Sequence, residues 1–490
     1  TATISASLGD GAPRTAQVRS LANDEPATVT AIDPATTVVS IGETVTFTLK
    51  DGGKQLFADW TDHKRGDARY NDRDLVRKHA DESVATLQFL LDNGVTFIDK
   101  PIVTPDASSV PRVFVTHEWH IKEEIIAPHR NRNGSGLVRR LAESARKKGA
   151  QILCSHEMTR IVRDDGKGRV RGIVVRHGGK DVAIEAKKGV VIATGGHTGN
   201  VQFRRMFDPR LTEEYQQAGM PWTEQGADGE LAAMDIGASL WAAATQTQEV
   251  GPAITKTKHI GNRWGYISLV YETDSPIFDR AKATGLTVTD WQECILVNQF
   301  GKRFWNELDS GYEFINAAMQ NHGDGDKLNG GGPIWAIFDS DAAARQKWNC
   351  KPPNVDPDGW FFTADTVFEL AGKIRNPHQK KPMDGAQLQE TVNRYNWFVA
   401  MGTDIDFGKQ TPLHPIAKPP FYAAWSTPIL HDTLTGLRTD TNAQVMDTRG
   451  EVIQGLYCAG ESQGGFAQHG LGRCLVFGRI AGRHAAQRNS

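Results

Sequence analysis

The chain has no apolar run approaching the roughly 18 to 20 residues that span a bilayer, and its start lacks the basic-then-apolar layout of a secretory leader. A cytoplasmic protein without a membrane span is expected. Its five cysteines, Cys154, Cys294, Cys350, Cys458 and Cys474, are odd in number, far apart and form no CxxC pair. That excludes a disulfide framework and a zinc ribbon, and predicts reduced thiols. Charge of either sign is also not in excess: 56 Lys and Arg stand against 58 Asp and Glu, a formal net charge of -2. Such a balance supplies no field for nucleic acid or an anionic membrane, so partners are to be sought in local sites. The cluster His117-Glu118-Trp119-His120 lacks HExxH spacing, so no metal is expected.

What is present is length and glycine. The 490 residues suit two or three domains with a core able to enclose a cofactor. The opening segment carries short β-branched runs, Ala27 to Ala31 and Thr44 to Leu49, between Gly and Asp-Pro signals, and reads as strands and turns. From Asn71 the period changes to that of a helix, with Asp72 or Asp74 as cap and Asn93-Gly94 as stop. A second helix follows Ser135-Gly136 and ends at Lys148-Gly149. Strands are expected at Ala150 to Cys154, Val170 to Arg176 and Val182 to Glu185. The apolar run Gly189 to Ala193, ending in Thr194-Gly195-Gly196, fits a buried parallel strand that delivers a tight turn to a ligand. Residues 250 to 415 are rich in Trp and Asn, lack that regularity and read as a separate domain. The last seventy or so residues return to strand, Gly-rich turn and a helix from Leu471 to His484.

Four stretches carry a resemblance: Val190 to Asn200 (VVIATGGHTGN), Gly226 to Ala238 (GADGELAAMDIGA), Val297 to Glu307 (VNQFGKRFWNE) and Gly455 to His484 (GLYCAGESQGGFAQHGLGRCLVFGRIAGRH). In that order they resemble the FAD-dependent flavoproteins of the fumarate reductase and succinate dehydrogenase family, with features closer to its 3-ketosteroid dehydrogenase-like members. The residues support this independently. Ala459-Gly460 lets backbone approach a flat ligand, and the Glu461 carboxylate suits ribose or ribityl hydroxyls. Gly470-x-Gly472 opens a helix whose positive end suits the pyrimidine edge of a reduced flavin. The resemblance implies cofactor-binding residues Ala193, Thr194, Gly195, Gly196, Asp228, Glu461, Cys474 and Leu475, with FAD as cofactor.

The chain departs from the family in three places. The strand, GxGxxG turn and helix that bind the FAD pyrophosphate are not found; the nearest segment, Thr37 to Thr44, has one glycine and continues as a strand pattern. A second polypeptide supplies the turn, the opening segment replaces it, or FAD has been lost. The place of the family's arginine after Asn306-Glu307 holds Gly311, followed by Tyr312. The resemblance makes Tyr312 the candidate proton-transfer residue. His431 to Gly436 (HDTLTG) is similar to the family's His-His-Thr-Met-Gly-Gly, with Asp432 in place of the histidine that contacts a carboxylate. Two like charges 4 Å apart repel by about 4 kcal/mol at moderate dielectric, which favours a neutral carbonyl substrate over a dicarboxylate. His431, Tyr312 and Arg473 are the candidate catalytic residues, and Arg303 with Glu307 reads as a structural ion pair in preference to a proton relay.

The fold expected is α/β: an FAD-binding Rossmann-like domain at 1-255 and 415-490, atypical over its opening segment, with an inserted α+β capping domain at 256-414. The expected activity is dehydrogenation or reduction of a carbon–carbon bond beside a carbonyl, by hydride exchange with the flavin and proton exchange with a tyrosine. The expected substrate is an uncharged ketone or enone. The alternative is a non-catalytic or partner-dependent subunit that keeps the flavoprotein fold.

Overall fold

The computed structural model describes residues 54–61, 71–102, 113–116, 135–164, 167–217, 225–241, 252–263, 285–309, 332–466 and 470–488, with four three-residue strands before them. The His117 to His120 cluster, Gly311 and Tyr312 lie outside the described residues. The chain divides into two compact units. The first is Thr1–Thr194, Asp228–Thr245 and Leu434–Ser490, and the second is Gly195–Ala227 and Gln246–Thr433.

In the first unit, the short strand Val190–Ile192 lies parallel to Val452–Cys458, which also pairs antiparallel with Gln444–Met446. The apolar run thus forms the expected parallel strand, but of its residues only Ile192 is buried, Val190 being half-buried and Val191 exposed. A three-stranded antiparallel sheet, Glu157–Arg163, Val170–His177 and Lys180–Glu185, accompanies it. Ile161, Val170, Ile192, Leu437, Val445, Ile453 and Leu456 form one shared core. A second core joins two helices, Arg73–Asp92 and Leu471–Gln487, through Leu75, Val76, Phe466, Val476, Phe477 and Ile480. Each such side chain contributes roughly 1.5–3 kcal/mol when fully buried.

The first of these helices begins where the sequence marks it. Asp72 is the N-cap, its carboxylate accepting from the Asp74 and Leu75 amides, and Asn93 is the C-cap. The two helices are also clamped electrostatically. Glu82 accepts from Arg479 at 2.7 Å and Arg483 at 2.7 Å and lies 3.0 Å from Lys78.

One expected strand is absent. Ala150 to Cys154 runs without a sheet partner among the described residues, with Ile152 and Leu153 exposed, and the strand begins instead at Glu157. Ser155, at a φ of 56°, turns the chain before the ladder starts.

The second unit has the regularity that the sequence conceals. Ile295–Val297, Trp335–Phe338, Phe421–Trp425 and Phe361–Ala364 make a four-stranded antiparallel sheet in that order. Alternate residues serve opposite faces. Ile295, Val297, Trp335, Ile337, Ala423 and Trp425 pack with Leu388, Val392 and Tyr395 of the helix Gly385–Met401. Leu296, Ala336, Phe338 and Ala424 pack on the other side with Ile260, Trp291 and Phe304. With both faces covered, the polar alternation of a half-exposed strand disappears from the sequence. A smaller sheet holds Ile429–Thr433 between Gln216–Gln217 and Pro252–Thr255.

Among the strands before residue 50, Thr37–Val39 pairs antiparallel with Ala2–Ile4, and Ala27–Val29 pairs parallel with Val45–Phe47. Of the segment nearest to a phosphate turn, Thr37–Val39 is thus a strand in a two-stranded sheet, separate from the sheet of Val190–Ile192, and residues 40–44 lie outside the described residues. No helix among the described residues is long and apolar enough to cross a membrane.

Candidate functional site

In the first unit three glycine-bearing segments are stitched together by backbone. The strand Val452–Cys458 runs out at Ala459, whose amide donates to the Ile192 carbonyl at 3.0 Å. A 3-10 turn, Gly460–Ser462, follows and carries Glu461, half-buried. The Ser462 hydroxyl lies 3.0 Å from the Thr194 hydroxyl, and the Gly464 amide donates to the Leu437 carbonyl at 3.0 Å. A side chain at Gly464 would place its Cβ 2.0 Å from the Trp241 carbonyl oxygen and 2.7 Å from both N and O of Gly436. Only glycine admits that approach.

The turn is then held from behind. The Gly465 carbonyl accepts from the Asp72 amide at 2.8 Å. Arg473 is fully buried, and its Nη1 donates to the Phe466 carbonyl at 2.7 Å and to that of Gln463 at 3.4 Å. A side chain in that position suits holding the turn in shape. Gln463 in turn donates from Nε2 to the Thr439 hydroxyl at 2.7 Å.

Beyond the turn, Gly470 opens the helix Leu471–Gln487 at a φ of 86°, and as N-cap it has no side chain to cap the first turn. A helix of this length entered without a capping side chain offers first-turn amides and a positive dipole end to an anionic ligand. Cys474, half-buried, sits with Sγ 3.6 Å from the Gly470 carbonyl and against Gly460, where an added Cβ would lie 3.5 Å from that sulfur. Leu475 packs with Leu90, Val95 and Leu137.

Ala193 and Thr194 are exposed at the strand end, and Asp228 is the exposed first residue of the helix Asp228–Met234. That helix is drawn in by Gly229, whose absent Cβ would meet Ile192 Cγ2 and Thr194 Oγ1 at 2.4 Å each. The unit therefore gathers Ala193, Thr194, Asp228, Glu461, Cys474 and an uncapped helix end around one turn. Carboxylate and hydroxyl groups beside open backbone suit a polyhydroxyl chain attached to a flat ring, and the helix end suits the ring's anionic edge. These residues fit the flavin and ribityl half of FAD. The sequence has no GxGxxG turn to fit the pyrophosphate.

In the second unit Gly195 and Gly196 both adopt a φ of 89°. A Cβ on Gly196 would lie 2.1 Å from Thr433 Oγ1, so the turn rests directly on the Ile429–Thr433 strand. His431 and Asp432 lie on that strand, with Nδ1 and Oδ2 3.2 Å apart. Asp432 is almost buried while the imidazole is partly exposed. The facing carboxylate raises the His431 pKa above its ordinary value against the opposing effect of burial.

The sequence motif around Glu307 builds a buried charge cluster. Arg303 donates to Glu307 at 2.9 and 2.8 Å and to Asp404 at 2.9 Å, while Lys409 Nζ lies 3.2 Å from Glu307. Burial pushes the Glu307 carboxyl up, but Lys409 and Arg303 outweigh it and hold it at about 2. Lys409 also donates to the Trp291 and Cys294 carbonyls, and Lys256 donates to those of Glu307 and Asp309. Burial lowers the Lys256 pKa to about 8. Asp404 and Lys409 escaped the sequence reading, because no local pattern links them to a motif about a hundred residues earlier.

Comparison with known proteins agrees with this geometry. A family model described as "FAD binding domain" matches residues 35–472. The chain is 28% identical over 466 residues to an NADH:acrylate oxidoreductase of Vibrio harveyi, covering 90% of this chain and 41% of that protein. It is 27% identical over 392 residues to a 3-oxosteroid 1-dehydrogenase of Mycobacterium tuberculosis, covering 72% of this chain and 63% of that protein. Among solved structures, the open conformation of a flavocytochrome c3 fumarate reductase superposes with a TM-score of 0.61 at 25% identity, covering 89% of this chain and 68% of that one. The chain spans less than two thirds of the length of the curated relatives it matches first, at 41%, 63% and 56%.

Proposed function

The chain belongs to the FAD binding domain family, and from that premise we propose that it is the flavin-bearing part of an oxidoreductase acting on a carbon–carbon bond next to a carbonyl. FAD, when bound, supplies the hydride acceptor or donor. The remaining work falls to this chain's own residues. Glu461 and Thr194 would engage the ribityl or ribose hydroxyls, with Asp228 at the helix start, while the buried Ser462 hydroxyl braces that of Thr194. Backbone of Ala193, Gly195 and Gly196 would face the ring, and the amides ahead of Cys474 and Leu475 would stabilise its pyrimidine edge. Arg473 keeps the Gln463 to Phe466 turn in shape for that contact. His431 polarises the substrate carbonyl, and Tyr312 exchanges the proton.

The observation that carries the reading is the glycine-stitched turn Ala459 to Phe466 running into the uncapped helix end. The neutral carbonyl follows from Asp432, whose carboxylate opposes a substrate carboxylate. A partner chain that completes the phosphate site, and an electron donor or acceptor, belong to the same proposal.

The test is flavin binding followed by turnover. The protein saturated with FAD is expected to show the flavin absorbance bands and to be reoxidised anaerobically, after reduction, by cyclohex-2-enone. Glu461→Gln is expected to weaken FAD binding by about 10- to 100-fold, the loss of one charged hydrogen bond of about 1.5–3 kcal/mol. Absence of any flavin band at saturating FAD in the folded protein together with its partner chain refutes the reading.

A further inference from the structure

The strand Val190–Ile192 lies at the edge of its sheet, with Val452–Cys458 on one side and no strand on the other among the described residues. The Ile192 carbonyl accepts from the Ala459 amide at 3.0 Å, so Ile192 faces the occupied side. Val191, one residue back, turns its N–H and C=O to the open side, because the bonding direction alternates along a strand. An edge of this kind is a template for one more strand.

The faces of the sheet point the same way. Val191 is in register with Tyr457, so their side chains share a face. Tyr457 is fully buried there, in the core of the helices Arg73–Asp92 and Leu471–Gln487, while Val191 is 41% exposed. The helix layer thus stops one strand short of the edge. Parallel strands belong to sheets covered on both faces, and the apolar run Gly189 to Ala193 suits that setting. Ala150 to Cys154 repeats the sign in the same unit: Ile152 is 46% and Leu153 52% exposed, without a sheet partner among the described residues. The short strands before residue 50 leave the edge open, since they pair with one another.

We propose that the open side of Val190–Ile192 is the seat of a strand, glycine-rich turn and helix carried by a separate polypeptide. That strand pairs parallel with Val190–Ile192 through the Val191 backbone, and its helix covers the Val191 side chain. The inference rests on the flavin reading above and names the partner it calls for. Direction decides where the turn falls. A strand added in parallel ends at the same end of the sheet as Val190–Ile192 and Val452–Cys458, whose following turns meet through the Thr194 and Ser462 hydroxyls at 3.0 Å. Ligands of parallel sheets lie beyond that end. The partner's turn therefore comes to the side of Thr194 and Glu461, and the amides opening its helix receive the pyrophosphate. A second copy of this chain does not serve, because its sequence has no GxGxxG turn.

The experiment titrates the full chain with FAD and with FMN, which lacks the adenosine half, alone and with a probe peptide. The probe has about thirty residues: a Val/Ile strand, a Gly-x-Gly-x-x-Gly turn and an amphipathic helix. Hydrogen–deuterium exchange is followed at the Val191 amide. Alone, the chain is expected to bind the two flavins about equally. With the peptide, FAD should bind about 10- to 100-fold tighter and FMN no tighter, and exchange at Val191 should slow by about 100-fold or more. Val191→Pro removes the outward N–H and keeps the bonds of Ile192, so it should abolish the gain in FAD affinity. Val191→Glu, which leaves the backbone intact, should reduce the gain by placing a charge under the helix. Val182→Lys, on the exposed strand Lys180–Glu185, should keep it. FAD held tightly and in preference to FMN by the chain alone, with the peptide adding nothing, overturns the proposal and leaves the flavin reading intact. An unprotected Val191 amide at saturating peptide and FAD overturns it too. Protection of that amide with neither flavin bound sustains the docking edge and refutes the flavin reading.

Discussion

Glu307→Gln separates the two roles open to the charge cluster of the second unit. Arg303, Glu307, Asp404 and Lys409 are all within 4% of complete burial as side chains, and together they sum to zero charge. The variant keeps the volume of Glu307 and leaves the cluster at plus one. Arg303 retains Asp404 at 2.9 Å, but Lys409 keeps no carboxylate contact in place of Glu307 among the described residues, only the Trp291 and Cys294 carbonyls and the Tyr395 ring. At an effective dielectric of about 20, the contacts at 2.8 and 3.2 Å are worth roughly 6 and 5 kcal/mol in gross Coulomb energy. Desolvation cancels most of this, and breaking such a buried pair from one side costs about 3–5 kcal/mol.

The assay is urea unfolding followed by tryptophan fluorescence. Trp291 is a local reporter, since its carbonyl accepts from Lys409 and its ring centroid lies 4.4 Å from Lys256 Nζ. With a slope of about 2–3 kcal/mol per molar urea, the midpoint is expected to fall by about 1.5 M. Adding Lys409→Met should recover part of the loss, because it removes the stranded cation. Glu307 has its pKa lowered from 4.5 to about 2, so its contribution is complete above pH 4.5 and disappears as pH falls toward 2. The gap between wild type and variant should therefore stay constant from pH 7 to about pH 5 and close below that. An unchanged midpoint, with kcat reduced and a larger solvent isotope effect, would refute the structural reading and leave a proton relay in its place.

Three further outcomes are expected in the first unit. Gly464→Ala should lose bound FAD almost completely, measured as the ratio of flavin to protein absorbance, because its Cβ meets backbone atoms at 2.0 and 2.7 Å; Gly470→Ala, with open space around it, should cost about 1–3 kcal/mol for a φ of 86° and ψ of -170° that glycine alone readily adopts. Glu82→Gln should lower stability by about 1–3 kcal/mol at pH 7 in chemical denaturation: burial raises this carboxyl, but Arg483, Lys78 and Arg479 bring it to about 2, so the benefit is held above pH 4.5 and lost as pH falls toward 2.

The sequence by itself determined the local features. Asp72 and Asn93 mark the ends of their helix, and the glycines of Gly455 to Gly472 announce a backbone that comes close to something flat. These signals act within a few residues, so one chain read in order contains them, and they sufficed for the family, the α/β fold and FAD. What required the tertiary structure depends on partners far apart or on register. The strand at Glu157–Arg163 is defined by pairing with Val170–His177, whereas the apolar Ala150 to Cys154 finds no partner among the described residues. The strands of the second unit hide because both faces are buried. Asp404 and Lys409 reach Glu307 across about a hundred residues, and Arg473 turned out to be enclosed among backbone carbonyls. Whether two adjacent residues such as His431 and Asp432 touch is fixed by a one-residue slip against Pro252–Thr255, and a slip between strands is written in neither strand alone.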